Sequence, residues 1–121
     1  MWIITNRGFA SIVAKDDNGK PSAPGLDGIL SVRFRRKKDA KAMFPDHKVI
    51  DTKKGDYAFR VFASRRDVNA MLYRQVMGID YDNFKNSIPQ NDDPLYEACH
   101  DVWAVVGRLQ KGGPYGTGRY L

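Results

Sequence analysis

Between residues 29 and 35 the chain alternates without a break: Leu30, Val32 and Phe34 on one side, Ser31, Arg33 and Arg35 on the other. A period of two sends these sets to opposite faces of an extended strand, so the segment predicts a half-buried strand whose outer face is basic. Such a strand belongs in a sheet with one face packed and the other in water.

The flanking segments supply its neighbours. Residues 2–5 and 9–14 are rich in β-formers and are separated by the turn-like Asn6-Arg7-Gly8, giving either one strand with a bulge at Gly8 or a tight hairpin. Residues 16–28 hold Asn18-Gly19, Pro21, Pro24, Gly25 and Gly28 and read as a flexible surface loop, a long hairpin connection. Residues 37–44 read as a short helix with Ala40, Met43 and Phe44 inward, stopped by Pro45. Residues 48–52 and 56–63 flank Lys53-Lys54-Gly55 as a second hairpin. In its second strand Tyr57, Phe59, Val61 and Ala63 share a face opposite Ala58, Arg60 and Phe62.

Ser64 is placed to cap a helix over residues 65–77, with Asp67 three residues on as a partial capping box. The apolar stripe of that helix is Val68, Met71, Leu72 and Val76, and Gly78 closes it. Asp80 is expected to cap a short turn through Tyr81 and Phe84. Asp93-Pro94 opens a longer helix, a capping carboxylate followed by proline at the first helical position. Its stripe runs Leu95, Ala98, Cys99, Val102, Trp103, Val106 and Leu109. Trp2 and Trp103, both within apolar patterns, are expected as core anchors.

The order ββαββα with a long C-terminal helix predicts an α+β fold of two layers, an antiparallel sheet of about four strands with helices on one face. At 121 residues the chain is expected to form a single domain over residues 1–111. Residues 112–121 are Gly-rich with few apolar groups and are expected to be a flexible tail.

Charge narrows the choice of function. From Arg33 to Arg60 there are ten Lys/Arg against four Asp, which accounts for the whole formal net charge of +6. A concentrated field of this kind selects polyanionic or acidic partners. The chemistry of catalysis is thin by comparison. The only histidines, His47 and His100, and the one cysteine, Cys99, do not fit a metal site, because adjacent helical residues such as Cys99 and His100 point about 100° apart. Cys99 reads as a small buried hydrophobe and His100 as a solvent-facing helix residue. No serine lies in a Gly-x-Ser-x-Gly context. The glycines of residues 112–118 lack the Gly-Lys-Ser/Thr ending of a phosphate loop. No catalytic residue, metal ligand or cofactor is therefore expected. No apolar run approaches the roughly 20 residues that span a bilayer, and residues 1–8 lack the pattern of a signal peptide. The expected setting is the cytoplasm, without membrane contact.

Several strings carry a family resemblance: Met1-Trp2-Ile3 with Thr5, Gly8-Phe9-Ala10-Ser11-Ile12-Val13, Ser31-Val32-Arg33, Asp56-Tyr57-Ala58-Phe59-Arg60, Gly78-Ile79-Asp80-Tyr81-Asp82-Asn83-Phe84-Lys85, Val102-Trp103 and Leu109-Gln110. On these the chain resembles, over most of its length, a widespread family of short uncharacterised proteins of bacterial and phage genomes with no agreed activity. The loop at 16–28 and the Gly-rich tail are longer than in typical members. The resemblance implies a small binding protein, of the kind with which phages modulate or inhibit a host defence complex.

Composition, charge and resemblance together predict a non-catalytic protein that binds the acidic surface of a protein or nucleoprotein. The binding residues expected are Arg33, Arg35, Arg36, Lys37, Lys38, Lys53, Lys54, Arg60 and Phe62. The alternative is direct nucleic-acid binding by the same sheet face, with Phe62 stacking on a base. A second candidate segment is Asp80, Tyr81, Asn83 and Lys85, either a recognition loop or the seat of a small enzyme. An uncovered sheet face and edge also suit a homodimer.

Overall fold

A computed structural model describes residues 1–110 and Gly112; of the predicted tail, all but Gly112 lies outside the described residues. The chain is α+β, and it divides into two compact units, Met1–Asp80 and Tyr81–Leu121.

The first unit is a five-stranded antiparallel sheet with two helices. Its elements are β1 (Trp2–Thr5), β2 (Gly8–Val13), β3 (Ile29–Phe34), α1 (Lys37–Met43), β4 (Ile50–Asp51), β5 (Phe59–Ser64) and α2 (Arg65–Met77). The spatial order is β1-β2-β3-β5-β4. There is one strand more than expected because Asn6-Arg7 makes a two-residue hairpin tip, pairing Thr5 with Gly8 and Trp2 with Ser11. The Thr5 hydroxyl accepts from the Arg7 N–H at 3.1 Å and tightens that tip. β4 is only two residues long, shorter than the segment 48–52 expected, and the β4–β5 connection is correspondingly wider.

One row of the register sets the core. Val32 on β3 lies between Ile12 on β2 and Val61 on β5, and all three are buried. With Ala10, Leu30, Phe34 and Ala63 they pack against Ala40, Met43 and Phe44 of the α1 segment and Val68 and Met71 of α2. Of the stripe expected on α2, Leu72 is half-buried and Val76 is exposed, because the packed face runs out in the last turn. Ser64 caps α2, its hydroxyl accepting from the Asp67 N–H at 3.1 Å. Asp67 does not complete the capping box; its carboxylate pairs with His47 Nε2 at 2.9 Å instead.

A close approach ties the first hairpin to α1. Gly8 has φ +144°, and a Cβ built there would land on the carboxylate of Asp39. Asp39 is buried in the first turn of α1 and takes the guanidinium of Arg36, with Nη2 at 2.7 Å and Nε at 3.0 Å.

The second unit holds a 3₁₀ turn (Lys85–Ser87), α3 (Asp93–Val106) and a final 3₁₀ turn (Gly107–Leu109). The cap of α3 is Asp92, whose carboxylate accepts from the Leu95 N–H, so Asp93 and Pro94 are the first helical residues rather than cap and first residue. Among the described residues, the buried part of the expected stripe is Leu95 and Cys99, which pack with Ile88 and Phe84. Ala98, Val102, Trp103, Val106 and Leu109 are exposed.

Gly8→Ala is expected to lower the unfolding free energy by about 2 kcal/mol or more, since it adds φ strain to a collision with a buried ion pair. A guanidinium denaturation midpoint shifted to lower concentration, with an unchanged m-value, is the result expected.

Candidate functional site

The same register that buries Val32 puts Arg33 opposite Arg60 on β5 and Ser11 on β2, with Trp2 next in the row on β1. One step along, Ser31 pairs with Phe62 and Val13. These side chains leave the sheet on the face away from α1 and α2, because their neighbours along each strand fill the core. Arg33, Arg35, Arg60 and Phe62 are thus brought to one face, as the alternation of β3 and β5 requires.

The face is organised around Tyr57. Sequence alternation assigned Tyr57 to the inner side with Phe59 and Val61; the structure places it on the opposite side. It precedes β5, where the backbone is not yet paired, and is free of the strand period. Its ring lies 4.7 Å from the Arg33 guanidinium carbon and 4.9 Å from that of Arg35. It also stacks with Phe9 at 6.5 Å, and Phe9 meets the edge of Trp2 at 5.5 Å. Arg33 Nη2 donates to the Ser11 hydroxyl at 2.7 Å, and Arg35 Nη1 donates to the Asp56 carbonyl at 3.0 Å. None of these contacts neutralises charge. Among the described residues no carboxylate forms an ion pair with Arg33, Arg35 or Arg60.

Trp2 is 73% exposed. The expectation that it anchors the core fails because β1 is an edge strand and Trp2 stands on its outer face. Trp103, half exposed on α3, is likewise no core anchor; it carries the Lys85 ammonium 4.7 Å from its ring centroid and lies beside His100.

The remaining cations predicted for the site are dispersed. Arg36 is held by Asp39. Lys37 and Lys38 are exposed in the first turn of α1, which belongs to the helical layer rather than to the arginine face. Lys53 and Lys54 are exposed in the β4–β5 connection, whose turn is set by the Asp51 carboxylate accepting from the Lys53 N–H and by φ +53° at Lys53. In the second candidate segment, Asn83 rather than Asp80 supplies the turn-capping oxygen, accepting from the Asn86 N–H at 3.4 Å. Tyr81 packs its ring edge-on to Phe84, and Asp80 is exposed. Lys85 donates to His100 Nδ1 at 3.3 Å and lines a cavity of about 440 Å³ with Ile88, Pro89 and Tyr96. Among the described residues no three His, Cys, Asp or Glu side chains stand close enough to hold a metal ion, and no helix is long and apolar enough to cross a membrane.

Tyr57, Phe9, Ser11 and Trp2 are the members of the face that sequence reasoning missed. Register finds Ser11 and Trp2 once β1 and β2 are paired; nothing in the period finds Tyr57. Compared with family models, with curated proteins and with solved structures, the chain has no match in any of the three.

Tyr57 is buried and its ring, not its hydroxyl, makes the contacts described. Tyr57→Ala is expected to cost about 3 kcal/mol, as for deletion of a buried aromatic, and Tyr57→Phe less than about 0.5 kcal/mol. Equal destabilisation by both variants in denaturant melts would show that the hydroxyl is the essential group.

Proposed function

We propose that the protein is a non-catalytic binding protein that docks through its cationic sheet face onto the acidic surface of a protein or nucleoprotein partner. The observation that carries this reading is the Arg33–Arg60 pair. Two like charges directly opposed across neighbouring strands weaken a sheet, and among the described residues no acid forms an ion pair with either. An arrangement that costs the free protein stability is relieved by an anion from outside. Arginine suits that role, since its planar fork takes carboxylate or phosphate through two hydrogen bonds. The residue strings on which the family resemblance rests also supply Trp2, Phe9, Ser11, Arg33, Tyr57 and Arg60 to this face.

A second reading, direct binding of single-stranded nucleic acid, is favoured by Trp2 and Phe62, aromatic rings that share the face with the arginines and suit base stacking.

Retention on immobilised heparin and on poly-glutamate tests the docking reading. Arg33→Ala with Arg60→Ala is expected to elute at clearly lower salt than wild type with an unchanged circular dichroism spectrum. Elution matching an Arg74→Ala control, on exposed α2 surface, would refute the docking reading. The two readings separate on salt: against a single-stranded oligonucleotide, each phosphate contact contributes about −0.7 to the slope of log affinity on log salt. The double variant is expected to flatten that slope by about 1.4, and a wild-type slope near zero removes the nucleic-acid reading.

A further inference from the structure

We infer that one end of the cationic face is a nucleotide site, taking a phosphate and the flat base attached to it. Lys15, Asp16, Asp17 and Gly19, from the turn after β2, stand with Ser31, Arg60 and Phe62 around a pocket of about 260 Å³. Ser31 and Phe62 are register partners on the two central strands, and Arg60 is two residues from Phe62 on the same face. The turn that walls the pocket is fixed by its own bonds: Asp16 Oδ1 accepts from the N–H groups of Asn18 at 2.9 Å and Lys20 at 2.8 Å.

The group that points to a ligand is Ser31. It is 1% exposed, and its hydroxyl has no hydrogen-bond partner among the described residues. A buried hydroxyl is rarely left unpaired in a native fold. As a lining residue of the pocket it is placed to meet a group that enters, which would supply a partner. The pocket's other groups give the ligand's chemistry. Arg60 and Lys15 offer two positive charges with no acid in ion-pair contact among the described residues, which suits a phosphate. Phe62 offers a ring for a base to stack on. The carboxylates of Asp16 and Asp17 accept hydrogen bonds and repel further anionic groups, so they favour bases with an exocyclic amino group, such as adenine, over uracil.

The inference rests on the docking reading in one respect, that this face meets a phosphate-bearing molecule. The same chemistry is presented by a free nucleoside monophosphate and by the phosphorylated end of a strand.

The test is an amide-resolved NMR titration of the whole chain with AMP, UMP, a 5′-phosphorylated single-stranded oligonucleotide and inorganic phosphate. AMP is expected to move the amides of Ser31, Arg60, Phe62 and residues 15–19, and to bind several-fold tighter than UMP. The phosphorylated oligonucleotide producing the same shifts at lower concentration than AMP identifies a strand end as the source; weaker shifts identify the free nucleotide. Inorganic phosphate reproducing the AMP shifts at equal concentration overturns the proposal, and so does the absence of shifts at these residues at millimolar AMP and oligonucleotide.

Ser31→Ala removes an unpaired hydroxyl, so the melting temperature is expected to hold or rise while AMP affinity falls several-fold; unchanged affinity overturns the proposal. Phe62→Ala is expected to weaken AMP about tenfold through lost stacking. Arg33→Ala with Arg35→Ala lies outside the pocket lining. That variant loses polyanion retention while keeping AMP shifts if both readings hold, so the failure of either is seen separately.

Discussion

The pairing of β3 between β2 and β5 is the constraint from which the rest of the first unit follows. Val32 fits the core only in the register that sets it beside Ile12 and Val61. In a strand of period two that choice leaves no freedom for the next residue: Arg33 must leave the other face, between Ser11 and Arg60. A slip by one residue would bury two guanidinium groups and expose Val32 and Phe34 together, and the burial of unpaired charge alone makes that state untenable. The hydrophobic core therefore enforces the cationic face. No interaction among the arginines is needed to assemble it, and their mutual repulsion acts against a sheet already held by its buried side.

Two further ties fix the edges. The hairpin of β1 and β2 reaches α1 through the close approach of Gly8 to Asp39, a contact open only to a residue without a side chain. The pairing continues past β1, since the Met1 carbonyl accepts from the Ile12 N–H at 2.7 Å and the terminal ammonium donates to the Ile12 carbonyl at 2.8 Å. The edge strand that carries Trp2 is thereby held along its whole length, and Trp2 is presented from a defined position although its ring is exposed. On the other side, the Thr52 hydroxyl donates to the Tyr57 and Ala58 carbonyls at 3.0 and 3.1 Å. With the Thr52 N–H donating to the Ala58 carbonyl at 2.8 Å and its single hydroxyl hydrogen shared between these acceptors, the irregular segment from which Tyr57 turns onto the face is anchored.

How far the sequence speaks for this structure depends on whether a residue obeys a period. The strict alternation of residues 29–35 shows which side of β3 is buried, and it places Arg33 and Arg35 without further information. The helix at residues 65–77 is equally legible, because Ser64 and Gly78 punctuate an amphipathic run. Legibility ends where the backbone leaves its repeat. The β5 pattern carried back to Tyr57 predicts an inward ring, but the alternation ends at Phe59, where ladder pairing begins. Trp2 looked like core because apolar neighbours are ambiguous on a short strand: what decides is which face the strand shares, a fact held in its partners. The apolar stripe of α3 was real, but burial needs a covering surface. In the second unit, among the described residues, Ile88 and Phe84 cover Leu95 and Cys99. Arg36 illustrates the reverse error, since a cation counted into the basic cluster is consumed by a carboxylate three residues away.

The unequal treatment of the two opposed arginines gives the face its direction. Side chains directly opposite on antiparallel strands start about 5 Å apart. Each arginine carries its charge at the end of a long side chain, so the repulsion between them weakens the sheet without preventing it from forming. Arg33 is compensated in part by the Ser11 hydroxyl and the Tyr57 ring; Arg60 has neither. The potential is consequently least satisfied at Arg60, where the sheet also opens into the pocket beside Phe62 and Ser31. On the reading proposed above, an anion approaching the face would gain most by settling there, with Arg33, Arg35 and Tyr57 as the flank that steers its approach. The two proposals, contact with the wider face and occupation of the pocket, are then separable, the first turning on charge and salt, the second on the shape and hydrogen bonding of the group that enters.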